Sequence, residues 1–202
     1  MRRKIVILCL LTALLSLWSF AVLVQAEQIA VADRLIRFHV VANSDSDADQ
    51  AQKLALRDAL LPEVAALTAG CDTRDEALLA LQRGLPQLQR TAEALLQSDG
   101  CSDPVRLSLQ PEAFPRRDYP TFSLPAGRYE ALRAVIGAGQ GHNWWCVAFP
   151  ALCLPATTED LACAAAAAGF SDAQTDLLTG DGIEIELKFR LLDLIQQFFA
   201  AK

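Results

Sequence analysis

The first 26 residues decide how much of this chain is free to fold in water. Arg2, Arg3 and Lys4 precede an apolar run from Ile5 to Val24 interrupted only by Thr12, Ser16 and Ser19, and Val24-Gln25-Ala26 ends it on small side chains. A basic start, an apolar middle and a small-residue site make an export leader. The run is longer than the ~7–15 residues of most cleaved leaders and close to the ~20 that span a bilayer. Cleavage after Ala26 is expected, giving a mature chain that begins at Glu27, with retention as a membrane anchor the alternative. On either outcome residues 27–202 form a secreted or extracytoplasmic domain, and their number suits one hydrophobic core.

Charge and cysteine content narrow the classes of function. The formal charge of −6 becomes −9 without Arg2, Arg3 and Lys4. Nucleic acid and anionic bilayer surfaces would repel such a domain. With 52% hydrophobic and 21% charged residues the chain is globular rather than disordered. Outside the leader, which holds Cys9, five cysteines remain: Cys71, Cys101, Cys146, Cys153 and Cys163. Disulfides persist outside the cytoplasm, and an odd number leaves at least one thiol free or paired between chains. Cys146 and Cys153 can pair if the chain reverses near Pro150. Cys71 and Cys101 are disfavoured partners, because a helix of ~24 residues between them spans ~36 Å. With no C-x-x-C and two histidines, a zinc site of ordinary spacing is not expected, nor is any cofactor.

The mature chain reads as α+β. Residues 35–42 are apolar and β-branched, with Arg37 and His39 on one face, and predict a strand. Asn43-Ser-Asp-Ser-Asp47 supplies capping oxygens for a helix from about Asp47 to Leu60, with Pro62 interrupting or restarting it. Thr73-Arg-Asp-Glu76 is a capping box, and Leu78, Leu81, Leu85, Leu88, Ala92 and Leu95 form a helical stripe behind it. Gly84 and Pro86 weaken or kink that helix, and Gly100 ends it. Val105, Leu107 and Leu109 alternate as a half-exposed strand before a proline-rich turn from Pro111 to Pro120. A short strand is expected at 121–124, and longer ones at 129–136 and 144–149. Gly137, Gly139 and Gly141 form a hairpin loop between the last two. Residues 163–180 are weak helix or insertion, 183–189 alternate as a strand, and 191–199 turn helical. The expectation is one domain, with a mostly antiparallel sheet of four or five strands and two or three helices packed on one face.

The candidate sites carry ordinary explanations beside their chemical ones. The three glycines follow a strand, but no helix with Lys-Ser/Thr comes after them, so a flexible tip outweighs a phosphate loop. Asp45, Asp47 and Asp49 have calcium-like spacing. Gln50 stands where the turn glycine would be and Leu56 where the bidentate Glu would be, so helix capping is preferred. Cys146 with His142 or His39 has the residue types of a thiol hydrolase, without assured geometry. Trp144 and Trp145, adjacent on a strand, point to opposite faces. With helices on one face only, one is expected in the core and the other towards the open face or the sheet rim, where it is either an anchor for a partner or further core packing.

Two blocks go beyond pattern. Leu35-Ile-Arg-Phe-His-Val-Val-Ala-Asn-Ser-Asp-Ser-Asp-Ala-Asp-Gln50, continuing to Lys53 and Arg57-Asp58, resembles the first signature of the stage II sporulation protein R family. Leu124-Pro-Ala-Gly-Arg-Tyr-Glu-Ala-Leu-Arg133, Ile136-Gly137, Gly141-His-Asn-Trp-Trp-Cys-Val-Ala-Phe-Pro150 and Leu152-Cys153 resemble its second. The resemblance implies a non-enzymatic signal of endospore formation, exported from the forespore into the space between the septal membranes. There it would activate by contact a membrane-embedded aspartic peptidase that processes pro-sigma-E. Asn43, Ser44, Asp45, His142, Asn143 and one of Trp144 or Trp145 are the expected contact residues. No small-molecule substrate is expected. A thiol hydrolase centred on Cys146 and a membrane-anchored small-molecule-binding domain are the alternatives.

Overall fold

The computed structural model describes residues 2–119 and 122–150, together with 165–166, 169–171, 174–175 and 178. Helix α1 (Arg2–Ala32) leads into β1 (Ile36–Val41), followed by α2 (Asp47–Thr68) and α3 (Arg74–Ser98). Then come β2 (Val105–Phe114), a small ribbon of β3 (Arg117–Asp118) and β4 (Ser123–Leu124), β5 (Gly127–Ile136) and β6 (Asn143–Phe149). The four long strands form one sheet in the order β2-β5-β1-β6. β1 runs parallel to β5, while β1–β6 and β2–β5 are antiparallel. This is the expected α+β sheet, with α2 and α3 on one face.

Strand alternation sorts the two faces. Ile36, Phe38 and Val40 point towards the helices and pack with Leu132, Ala134, Ile136, Cys146 and Ala148. From α2 come Leu56, Leu60 and Val64, and from α3 Ala77, Leu81, Leu88, Ala92 and Leu96. The buried line of α3 shares Leu81, Leu88 and Ala92 with the expected stripe and continues through Ala77, Gly84 and Leu96, while Leu78, Leu85 and Leu95 are partly buried at its flank. Gly84 lies on the buried line because a Cβ there would come within 2.4 Å of Leu67 on α2. The opposite face is not open as the sequence reading had it. A second cluster covers part of it, built from Val31, Ala32, Leu35, Phe114, Phe122, Leu124, Tyr129, Ala131 and Val147, with Ala165, Phe170 and Leu178.

Helix ends follow their local chemistry. Ser46 caps α2 by accepting from the Asp49 N–H at 3.2 Å. Thr73 caps α3 through the Glu76 N–H, while Glu76 reaches back to the N–H of Asp72, one residue beyond a standard capping box. At the far end Cys101 N–H bonds Leu96 O and Gly100 N–H bonds Gln97 O, a Schellman closure with Gly100 at φ 71°.

Three expectations are corrected. Pro62 neither interrupts nor restarts α2, and α3 likewise continues through Pro86. Each proline is exposed, as are Asp58 and Gln82 four residues before them, so water can serve the carbonyls left without a donor. β2 runs through Pro111 to Phe114, which an edge strand permits because its outer side needs no N–H. The glycine loop is not a hairpin, because β1 lies between β5 and β6 and the loop must cross its end. Cys71 and Cys101 are both free thiols. The pairing of Cys146 with Cys153, the strand at 183–189 and the helix at 191–199 lie outside the described residues. So do the side chains of about half of residues 1–28; among the described residues no helix is long and apolar enough to cross a membrane.

Continuity of α2 across Pro62 has a measurable consequence. Pro62→Ala restores a hydrogen bond and removes ring crowding in an exposed helix interior, so it raises the unfolding free energy by about 1–3 kcal/mol. Denaturant titration checks this. A neutral result would mean that the helix restarts at residue 62, where proline is tolerated.

Candidate functional site

The end of β1 and the loop after β5 are stitched together residue by residue. β1 stops at Val41, and the next backbone groups are used by the glycine loop rather than by solvent. Ala42 O accepts from Gly141 N–H and Asn43 O from Gln140 N–H, both at 3.0 Å. The Asn43 side chain adds a third tie, its Oδ1 accepting from Ala138 N–H at 2.8 Å. Glycine is required where the two segments approach most closely. At Gly137, with φ 55°, a Cβ would lie 2.3 Å from Asn43 Oδ1, and at Gly141 it would lie 2.2 Å from Ser44 O.

Asp45 fixes the far end of the loop. Its Oδ1 accepts from His142 N–H at 2.6 Å and sits 2.5 Å from His142 Nδ1. These bonds to the ionised carboxylate, the backbone one foremost, hold the Asp45 pKa below its ordinary value. Lys53, buried on α2, donates to His142 O at 3.0 Å and to Gln50 Oε1 at 2.5 Å, while Gln50 Nε2 donates to Ser44 O at 2.9 Å. Desolvation lowers the Lys53 pKa, and the nearby Asp45 charge opposes that shift. Ser44 Oγ donates to Asp49 Oδ2 at 2.5 Å. Asp45 therefore turns to the loop and Asp49 to Ser44 and Asn43, and they do not converge on a common point as calcium ligands would.

All the sequence-predicted contact residues lie along this rim or on the strand leaving it. Asn43, Ser44, Asp45 and His142 are joined by the network above, and Asn143 opens β6 opposite Val41. Their roles differ from what their polarity suggested. Asn43, Ser44 and Asp45 spend their side chains on holding the loop, whereas the His142 side chain is 81% exposed. Trp144 and Trp145 do point to opposite faces, and both are half-buried. Trp144 meets Phe38 edge-on at 5.7 Å with the Arg57 guanidinium 5.4 Å from its ring centre. Trp145 is enclosed by His39 stacked at 5.0 Å, Phe114 edge-on at 5.1 Å and Arg117 at 5.0 Å. Cys146 lies among the helix-side residues and His39 among those of the other face, so the sheet separates the thiol hydrolase pair. The His142 ring is turned to Asp45.

Beneath Trp145 lies a group of buried and half-buried ionisable side chains. Arg37 is fully buried, donates from Nη2 to Tyr119 Oη at 2.8 Å, and lies 4.5 Å from the Phe114 ring centre and 5.2 Å from that of Tyr129. No carboxylate among the described residues pairs with it, so ring quadrupoles supply the negative potential. His39 Nε2 is 3.0 Å from Glu112, which also meets Arg133 at 3.4 Å. Burial dominates there, lowering the His39 pKa to about 4 against the pull of Glu112. Lys53, Gln50, Arg57 and this cluster have roles that sequence reasoning missed. Its one signal was two ionisable side chains, Arg37 and His39, on one face of an otherwise apolar strand.

The family model described as Stage II sporulation protein R matches residues 32–159, more than half of the chain and inclusive of both halves of the rim. This chain belongs to the stage II sporulation protein R family. The Stage II sporulation protein R of Bacillus subtilis (strain 168) is 32% identical over 159 residues, covering 75% of this chain and 71% of that protein. No solved structure matches. Membership in the stage II sporulation protein R family supports a role in sporulation, and the family is not described as one of enzymes.

The buried state of His39 sets a pH dependence. Because its folded pKa lies near 4 and its ordinary value is 6.5, the unfolded chain binds the proton more readily between those limits. Its contribution to stability is complete above pH 6.5 and is lost as pH falls towards 4, by about 2–3 kcal/mol. Thermal unfolding across this range should show the decline in the parent protein and a flatter profile in His39→Gln. An identical slope in the two proteins would contradict the assignment.

Proposed function

We propose that this protein is an exported signal of endospore formation that activates, by surface contact, a membrane-embedded aspartic peptidase processing pro-sigma-E. The observation that carries this reading is the joining of the two signature blocks into one rim. Most of the network's hydrogen bonds go to shaping backbone, and no nucleophile and base meet within it. A surface held in one shape is suited to being sensed, and a receptor that binds it better in its active state is shifted towards that state. The contact residues on this reading are His142, Asn143 and Trp144, with Asn43, Ser44 and Asp45 holding them in place and Trp145 bracing the strand from behind. The thiol hydrolase reading is disfavoured by the separation of Cys146 from His39.

Export belongs to the same proposal. Among the described residues of α1, Leu14, Leu15 and Trp18 are 62%, 65% and 71% exposed, whereas the core begins at Val31. Side chains so exposed suit a segment that is removed, and cleavage after Ala26 leaves the buried residues, which begin at Val31, intact. Residues 27–202 then form a single extracytoplasmic signalling domain in the space between the septal membranes. A bridge between Cys146 and Cys153 fits that compartment.

Co-expression with a pro-sigma-E processing peptidase and its substrate tests the proposal. The full chain should cause processing. Trp144→Ala should weaken contact by about 2–4 kcal/mol, roughly thirty- to a thousand-fold in affinity, with the protein still exported and folded. Trp145→Ala, which empties a site between His39, Phe114 and Arg117, should instead cost about 3 kcal/mol of stability. Normal processing with Trp144→Ala would move the contact surface away from the rim, and no processing with the parent chain would refute the activation itself.

A further inference from the structure

Strand β2 ends the sheet on its side, and among the described residues no strand lies beyond it. An uncovered edge is a template for another strand, since its outward N–H and C=O groups await partners. The pairing of β2 with β5 is regular from Val105↔Ile136 to Phe114↔Gly127, so outward backbone groups recur at every second residue. Leu107 fixes the phase. Its N–H is bonded not to β5 but to Gln89 Oε1 of α3, at 2.8 Å. The outward set is therefore Val105, Leu107, Leu109, Pro111 and Ala113.

Two features of this edge stand out. The Gln89 carboxamide imitates a neighbouring strand, because its Nε2 also donates to Val105 O at 2.8 Å. Glu93, one turn on, accepts from the same Nε2 at 2.7 Å, which fixes which way the amide faces. Further along, Pro111 occupies an outward position and is exposed, offering no N–H where an added strand would need a donor. Between the amide and the proline, Leu109 alone keeps its outward N–H.

We infer that Gln89 and Pro111 together close the β2 edge against strand addition by the same edge of a second copy of this chain. The inference does not depend on the signalling proposal, since it concerns the opposite margin of the sheet from β6. A side-chain amide suits this task because it satisfies one donor and one acceptor at once and cannot propagate the ladder.

The test uses the full chain, comparing the parent, Gln89→Leu, Pro111→Val and the double variant by sedimentation velocity over a range of concentrations. Leucine keeps most of the volume of glutamine and removes both bonds, while valine restores an N–H at an exposed strand position. The double variant should self-associate roughly ten- to a hundredfold more strongly than the parent, each single variant less so. Amide hydrogen exchange should then show new, concentration-dependent protection at residues 109 and 111. A folded double variant that associates no more than the parent overturns the inference, as does association whose protection lies elsewhere. If Gln89→Leu does not fold, Pro111→Val alone decides, because its side chain is exposed: unchanged association in that variant overturns the inference.

Discussion

The structure depends on a strand that has no surface. All six residues of β1 are buried, with Ile36, Phe38 and Val40 on the helix side and Arg37, His39 and Val41 on the other. A strand covered on both faces and paired on both edges must have neighbours supplied from elsewhere in the chain. β5 and β6 do this, one parallel and one antiparallel. Because they flank β1 rather than each other, the segment joining them has to pass over its end. The glycines at 137, 139 and 141, the ties to Ala42 and Asn43 and the clamp on His142 all follow from that crossing. The rim is thus a consequence of the topology, and it brings together residues about 100 positions apart in sequence.

Much of this was legible locally. An apolar, β-branched run marked β1 and alternation the start of β2, and adjacent tryptophans on a strand had to face opposite ways. Ser46, Thr73 and Gly100 act where the chemistry of helix ends puts them. What escaped was set by neighbours. Pro62 read as an interruption because sequence does not say which side of a helix meets water. Pro111 read as a turn because sequence does not say which strand is an edge. The glycine loop read as a hairpin because nothing local reveals that a strand placed 90 residues earlier inserts between its arms.

The rim was legible in membership but not in division of labour. Asn43, Ser44 and Asp45 drew attention as polar residues unexplained by core packing, and the structure explains them as supports of the loop. Lys53 and Gln50 stood in the first signature block without an assigned role, and they bond the loop and the turn before α2. Arg37 and His39 gave a visible anomaly without an interpretation. A guanidinium among three rings and a histidine held neutral by burial resolve it as packing of the second face, with Trp145 as its lid.

The central claim is that the two signature blocks are one rigid surface, and amide hydrogen exchange on the native protein tests it most directly. The Ala138 and His142 N–H groups donate to Asn43 and Asp45 across the crossing. The account predicts that both exchange slowly for their exposed position, and that Asn43→Ala speeds the Ala138 amide and Asp45→Ala the His142 amide while the centre of β1 stays protected. Exchange of both amides at the rate of unstructured peptide in the parent protein would contradict it, because the blocks would then meet only in passing.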